Sequence, residues 1–214
     1  AFALGRSCLG RLASAGPERE GLAPSAGAMM QAGLQKALRS ALVVLDQLGL
    51  RYALVGGLAV SAWAVPRATR DADLWVELEG RSRELEAGLR SAGFDVPALA
   101  AELEQFGVFR SRHLESGVFV DIFNAVGPLG ESILSRRKAA ALGGHETWIA
   151  SAEDIAVLKV FSDRPRDLDD LIALLRLPSL DVAYVSRWAA ELDSSIESDE
   201  VSERLKLAIQ RAKH

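Results

Sequence analysis

At 214 residues, 49% hydrophobic and 25% charged, the chain can bury a substantial core in one domain or two small ones, and its composition is that of an ordinary globular protein. Its formal charge of −4 excludes the global basic footprint of a dedicated nucleic-acid binder, though not a local basic patch. A single cysteine, Cys8, excludes an intramolecular disulfide and a cysteine-based zinc site, His113, His145 and His214 follow no zinc-ligand spacing, and no apolar run is long enough to cross a bilayer, so a cytoplasmic protein is expected.

Residues 1–28 are rich in Ala, Gly, Ser and Pro and lack the uninterrupted apolar run of a secretory signal; they read as a flexible, dispensable extension before a natural start near Met29 or Met30. Over residues 31–48, Leu34, Leu38, Ala41, Leu42, Leu45 and Leu48 recur at helical spacing, and Gly49 stops the helix. A short strand, 52–55, runs into Gly56-Gly57, followed by a helix over 58–64 that Pro66 cannot continue. Residues 71–77 form the second strand, 82–91 a helix that Gly93 terminates, and 97–104 a short helix or loop. Residues 106–113 and 117–123 read as a hairpin turning at Glu115-Ser116-Gly117.

The periodicity then predicts a helix over 130–142 carrying the basic run Arg136-Arg137-Lys138, a Gly143-Gly144 turn, and a short extended piece at 147–150. The basic run is solvated surface or, alternatively, a contact for a polyanionic acceptor. From Ser151 the texture becomes helical throughout. Ser151-x-x-Asp154 has the form of a capping box, with Ile155, Leu158 and Phe161 as the buried stripe of its helix. A further helix buries Leu168, Leu171, Ile172 and Leu175; Asp181 caps the next, 182–192, and 199–211 is the last. The order predicts an α+β fold: an α/β domain over 29–150 followed by a helical domain over 151–214.

The chemistry concentrates in residues 54–77. In a strand the period of two places Asp71 and Asp73 on one face, about 6–7 Å apart along the backbone, close enough to hold one or two divalent metals through oxygen. Two glycines before a helix let main-chain N–H groups turn toward phosphate oxygens. Either motif alone reads more readily as a turn or a polar loop; their order, strand, diglycine, helix, Arg67-x-Thr69-x-Asp71-x-Asp73, strand, points to a nucleoside triphosphate site. Asp121 is the one carboxylate in the apolar arm 117–123, where burial without a partner would be unfavourable. It either faces the same metal from a neighbouring strand or stands at a strand end facing water.

On these residues the chain resembles the nucleotidyltransferase superfamily of DNA polymerase beta, and within it the small bacterial AbiEii-like toxin–antitoxin enzymes. Gly56 and Gly57 match the phosphate-side turn, where many members carry serine in place of Gly57. Asp71 and Asp73 match the paired metal ligands, Arg67 and Thr69 fit the subgroup's version of the motif, and Asp121 matches the third carboxylate. Lys159, Arg166, Asp167 and Asp170 match a lysine on one helix and the Arg-Asp and Asp-Leu at the start of the next; the alternative for them is a salt-bridge cluster at a helix junction.

The resemblance covers most of residues 51–175. It implies a small mixed sheet flanked by helices, with a C-terminal helical region. It also implies Mg2+ or Mn2+ on Asp71, Asp73 and Asp121, and a nucleoside triphosphate held by Gly56, Gly57, Arg67, Thr69, Lys159 and Asp167. The implied reaction is transfer of a nucleoside monophosphate to a hydroxyl of tRNA, protein or a small molecule. A cognate toxin or antitoxin partner is implied too, and the alternative is a non-catalytic module serving as antitoxin or scaffold.

Overall fold

A computed structural model describes residues 32–96, 107–142, 144–162 and 164–214. The expectations for residues 1–28 with Cys8, for 97–104 and for Gly143 lie outside the described residues. The elements in order are α1 (Ala32–Gln47), β1 (Tyr52–Val55), α2 (Gly56–Trp63), β2 (Asp71–Val76), α3 (Ser82–Ser91), β3 (Phe94–Asp95), β4 (Val108–His113), β5 (Phe119–Asn124), α4 (Gly127–Arg136), β6 (Lys138–Leu142), β7 (His145–Ile149), α5 (Ala152–Phe161), α6 (Pro165–Leu175), α7 (Val182–Ile196) and α8 (Glu200–Ala212). This is a mixed α/β fold, a sheet flanked by helices with a helical region after it.

The described strands form one seven-stranded sheet in the order β3-β4-β5-β2-β1-β7-β6. β2 pairs parallel with β5 and β1 parallel with β7, while the remaining pairs are antiparallel. The strand alternation separates two faces. Ala72, Leu74 and Val76 of β2 and Val120 and Ile122 of β5 point to the face that α1 covers, where they are fully buried. Asp71, Asp73 and Trp75 of β2, with Phe119, Asp121 and Phe123 of β5, line the other. There the rings of Trp75 and Phe123 stack with centroids 5.7 Å apart, closing the sheet surface below the carboxylates.

The expected helix over 130–142 is corrected. α4 ends at Arg136, and Lys138–Leu142 is instead the edge strand β6, paired antiparallel with β7 from Lys138↔Ile149 to Leu142↔His145. Lys-Ala-Ala-Ala-Leu has high helix propensity, but pairing with β7 overrides it. The basic run is therefore divided. Arg136 donates to Glu153 at 3.0 Å and to Asp154 at 3.3 Å and lies over the Tyr184 ring, and Arg137 donates to the Tyr52 carbonyl and lies over Trp148. Two of its three cations are thus engaged within the fold, while Lys138 is exposed.

The N-cap of α5 forms as expected: the Ser151 side chain accepts from the Asp154 N–H. Its buried side differs from expectation, because Phe161 is 51% exposed while Ile155, Ala156, Val157, Lys159 and Val160 are buried. α5 is central to the helical region, touching α2, α6, α7 and α8, so it is apolar around most of its circumference rather than along one stripe. Asp181 caps α7 by accepting from the Tyr184 N–H at 3.0 Å. Among the described residues no helix is long and apolar enough to cross a membrane.

Candidate active site

The site lies where β1 ends and α2 begins, and its shape follows from strand register. β1 pairs with β2 so that Val55 lies opposite Asp73, and β2 pairs with β5 so that Asp73 lies opposite Asp121. Gly56, the next residue after Val55, is consequently held against the Asp73 side chain. Its φ of +63° is one that L side chains rarely adopt, and a Cβ there would stand inside the Asp73 carboxylate. Gly57 is crowded in a different way: a Cβ on it would meet Arg67 Nη2 at 2.6 Å and Thr69 Oγ1 at 3.0 Å, so that Arg67 would have to shift. The guanidinium of Arg67 occupies the space into which a serine side chain at this position would project.

Asp71, Asp73 and Asp121 thus share one face of adjacent strands, yet each carboxylate is turned to a different partner. Asp71 accepts from Thr69 Oγ1 at 3.0 Å, and Asp73 accepts from the Gly57 backbone N–H. Asp121 is gripped by both arms of Arg110, Nε to Oδ1 at 2.7 Å and Nη2 to Oδ2 at 2.6 Å. Among the described residues no three of His, Cys, Asp and Glu are gathered into a ready metal cage. The charges remain close enough to act on one another. Burial first, then the negative charges of Asp71 and Asp121, push the Asp73 carboxyl up to about 6, against the opposing pull of Lys159 and the Gly57 N–H.

A second cluster faces this one from the helical region. Lys159 on α5 is buried and ion-paired to Asp167 and to Asp170, the latter at 2.9 Å. Arg67 Nη2 reaches the same Asp170 oxygen at 3.0 Å, so one carboxylate on α6 joins a lysine of α5 to the loop between α2 and β2. These are charge contacts rather than aligned hydrogen bonds, since Asp170 Oδ2 has no hydrogen-bond partner. Arg67 Nε and Nη1 are likewise buried and without one. Burial works upward on Asp167, but hydrogen bonds from Lys159 and Ser162 outweigh it and hold its carboxyl below the usual range. Arg166 pins the same loop by donating to the Ala68 carbonyl at 2.7 Å.

The structure therefore brings Gly56, Gly57, Arg67, Thr69, Asp71, Asp73 and Asp121 to one end of the sheet, with Lys159 near enough to lower the Asp73 carboxyl. Asp167 stands behind Lys159 and orients it. Sequence reasoning missed Arg110 as a site residue. The signal was present in the hairpin: a turn centred between Glu115 and Ser116 puts Arg110 directly opposite Asp121, as the structure has it.

A sequence profile of the family described as "Nucleotidyltransferase of unknown function (DUF6036)" matches residues 34–214. Among solved structures, the solution structure of the antibiotic-resistance factor ANT(2'')-Ia is similar with 20% identity and a TM-score of 0.59, over 78% of this chain and 95% of that one. The crystal structure of ANT(2'')-Ia in complex with adenylyl-2''-tobramycin is similar with 21% identity and a TM-score of 0.56, over 76% and 98%. No protein of curated function matches the chain by sequence.

Proposed function

The chain belongs to the DUF6036 family of nucleotidyltransferases, and from that premise we propose that it moves a nucleoside monophosphate from a nucleoside triphosphate to a hydroxyl acceptor, releasing pyrophosphate. The observation that carries this reading is the juxtaposition of three carboxylates on adjacent strands with the N-terminal turn of α2. The donor set fits a divalent cation. All three groups offer hard oxygen, and the Asp73 carboxyl, raised first by burial and then by the charges of Asp71 and Asp121, is one that a cation would help to ionise. Asp71, Asp73 and Asp121 would hold Mg2+ or Mn2+, which when bound supplies charge neutralisation of the phosphates and a lowered pKa for the acceptor hydroxyl.

The chain's own residues do the rest. The first turn of α2 offers main-chain N–H groups to the outer phosphates, and Gly56 and Gly57 let the backbone come close. Arg67 has two donors without partners beside that turn, so an anionic ligand would satisfy them. Lys159 supplies a compact positive charge whose position Asp167 sets. The acceptor oxygen attacks the α-phosphorus in line, the bond to the pyrophosphate oxygen breaks, and the hydroxyl proton leaves toward the Asp121 side of the sheet.

A second reading, a non-catalytic module that keeps the fold as an antitoxin or scaffold, is favoured by one feature: Arg110 already neutralises Asp121. The finer assignment to an AbiEii-like toxin–antitoxin pair, working in the cytoplasm on tRNA or a protein, rests on the Lys159, Arg166, Asp167 and Asp170 pattern. The experiment supplies each α-labelled nucleoside triphosphate with Mg2+, total cell RNA, total cell protein and small hydroxylated compounds to the purified chain. Label in any one fraction supports transfer and names the acceptor class. Triphosphate binding without label in any fraction favours the module.

A further inference from the structure

Arg110 is a strongly placed charge on the acidic face to which the proposed reaction gives no role. Register fixes it: β4 pairs with β5 so that Arg110 lies opposite Asp121, on the same face. Its planar fork takes both oxygens of that carboxylate, and Nη2 also stands 4.0 Å from Asp71 Oδ2. The guanidinium thus sits between two of the three acidic groups, in the place where they would otherwise need a cation. Yet it is not buried there. Its side chain is 56% exposed, with the guanidinium carbon 5.1 Å from the centre of the Phe119 ring, itself 40% exposed. The side chain therefore has open solvent and an aromatic face beside it on which to rest when released.

We propose that Arg110 is a displaceable counter-ion. It is a positioning residue that holds Asp121 while the site lacks metal and competes with the ion for that carboxylate. This rests on the reading of Asp71, Asp73 and Asp121 as metal-holding residues. A carboxylate with both oxygens engaged by a guanidinium has only its remaining lone pairs to offer a divalent ion, and a unit positive charge so close opposes the arrival of a second. The pairing therefore keeps the acidic face stable without metal and sets how much cation is needed to load it.

The test is Mn2+ binding to the full chain without nucleotide, followed by electron paramagnetic resonance and calorimetry, with the thermal midpoint measured in chelator. Arg110→Ala should bind Mn2+ about tenfold tighter than the native chain, because a repelling charge has gone. Its midpoint in chelator should fall, and Mn2+ should raise it by more than in the native chain. Arg110→Gln, which keeps most of the side-chain bulk, should behave alike and serves if the alanine variant folds poorly. In an Asp121→Asn background, Arg110→Ala should lose most of its gain in affinity, because the effect passes through Asp121. Unchanged or weaker Mn2+ binding in both Arg110 variants, while Asp73→Asn still loses the ion, would overturn the inference and leave the proposed site standing. A gain that persists undiminished without Asp121 would overturn it too. No Mn2+ binding by the native chain or by either Arg110 variant, or native binding by Asp73→Asn, would overturn the metal site and the inference together.

Discussion

The two halves of the site manage charge in opposite ways. On the sheet, Asp71, Asp73 and Asp121 are brought together by backbone register with one exposed arginine among them, and burial, then the neighbouring charges, raise the Asp73 carboxyl to about 6. Across from it, Lys159 and Arg67 balance Asp167 and Asp170 within a buried network drawn from α5, α6 and the loop before β2. A strand ladder can impose an unfavourable cluster because its hydrogen bonds and apolar far face fix where the side chains start. A network spanning separate elements has no such support and must be electrostatically satisfied to persist. On the proposed reading the first half would receive a cation, while the second carries its own cations and ties the helical region to the sheet.

The sharpest way to break the balanced half is Asp170→Ala. It leaves Lys159 and Arg67 buried with too little negative charge, and should lower unfolding stability by about 3 kcal/mol, read by urea denaturation. The next largest effect belongs to Gly56→Ala, which places a Cβ in the Asp73 carboxylate at a φ of +63°. A loss of about 1–3 kcal/mol is expected, together with displacement of Asp73, and the same denaturation series measures it.

Asp73→Asn acts in the opposite direction. The carboxyl of Asp73 is raised from 3.8 to about 6 in the folded chain, so its contribution to stability is present at acid pH and is lost as pH rises through about 6. In chelator the variant should therefore match the native chain near pH 4 and exceed it at pH 7 by on the order of 1 kcal/mol. A variant that is less stable at pH 7 would show that the acidic face is not under electrostatic load. Lys138→Ala, an exposed position at the start of β6, should change stability by less than about 0.5 kcal/mol, which separates general surface charge from the site.

The part of the site that was legible in the sequence is the part set by local periodicity. The pairing of Asp71 with Asp73 follows from a period of two, the glycine turn from its place between a strand and a helix, and the caps at Ser151 and Asp181 from side chains acting three residues away. What escaped depends on contacts distant in sequence. β6 reads as helix from its alanines and becomes a strand only because β7 returns beside it. β3 is two residues long and exists by pairing with β4. That Lys159 is buried and Phe161 is exposed depends on which sides of α5 are covered by α2, α6, α7 and α8, which no stripe on α5 itself announces. Arg110 joins the site only once the hairpin register is known to the residue, because a slip of one would send it to the other face.

On the proposed function, the acidic face and the α2 turn work together on one nucleotide. The most direct test is Mg2+-dependent transfer of label from an α-labelled nucleoside triphosphate, measured side by side for the native chain, Asp71→Asn and Asp73→Asn, with folding of each verified by its thermal midpoint. The account predicts labelled acceptor with the native chain and loss of at least about a hundredfold, roughly the scale of removing one catalytic electrostatic contact, in both folded variants. Transfer that continues at the native rate in Asp73→Asn would contradict it.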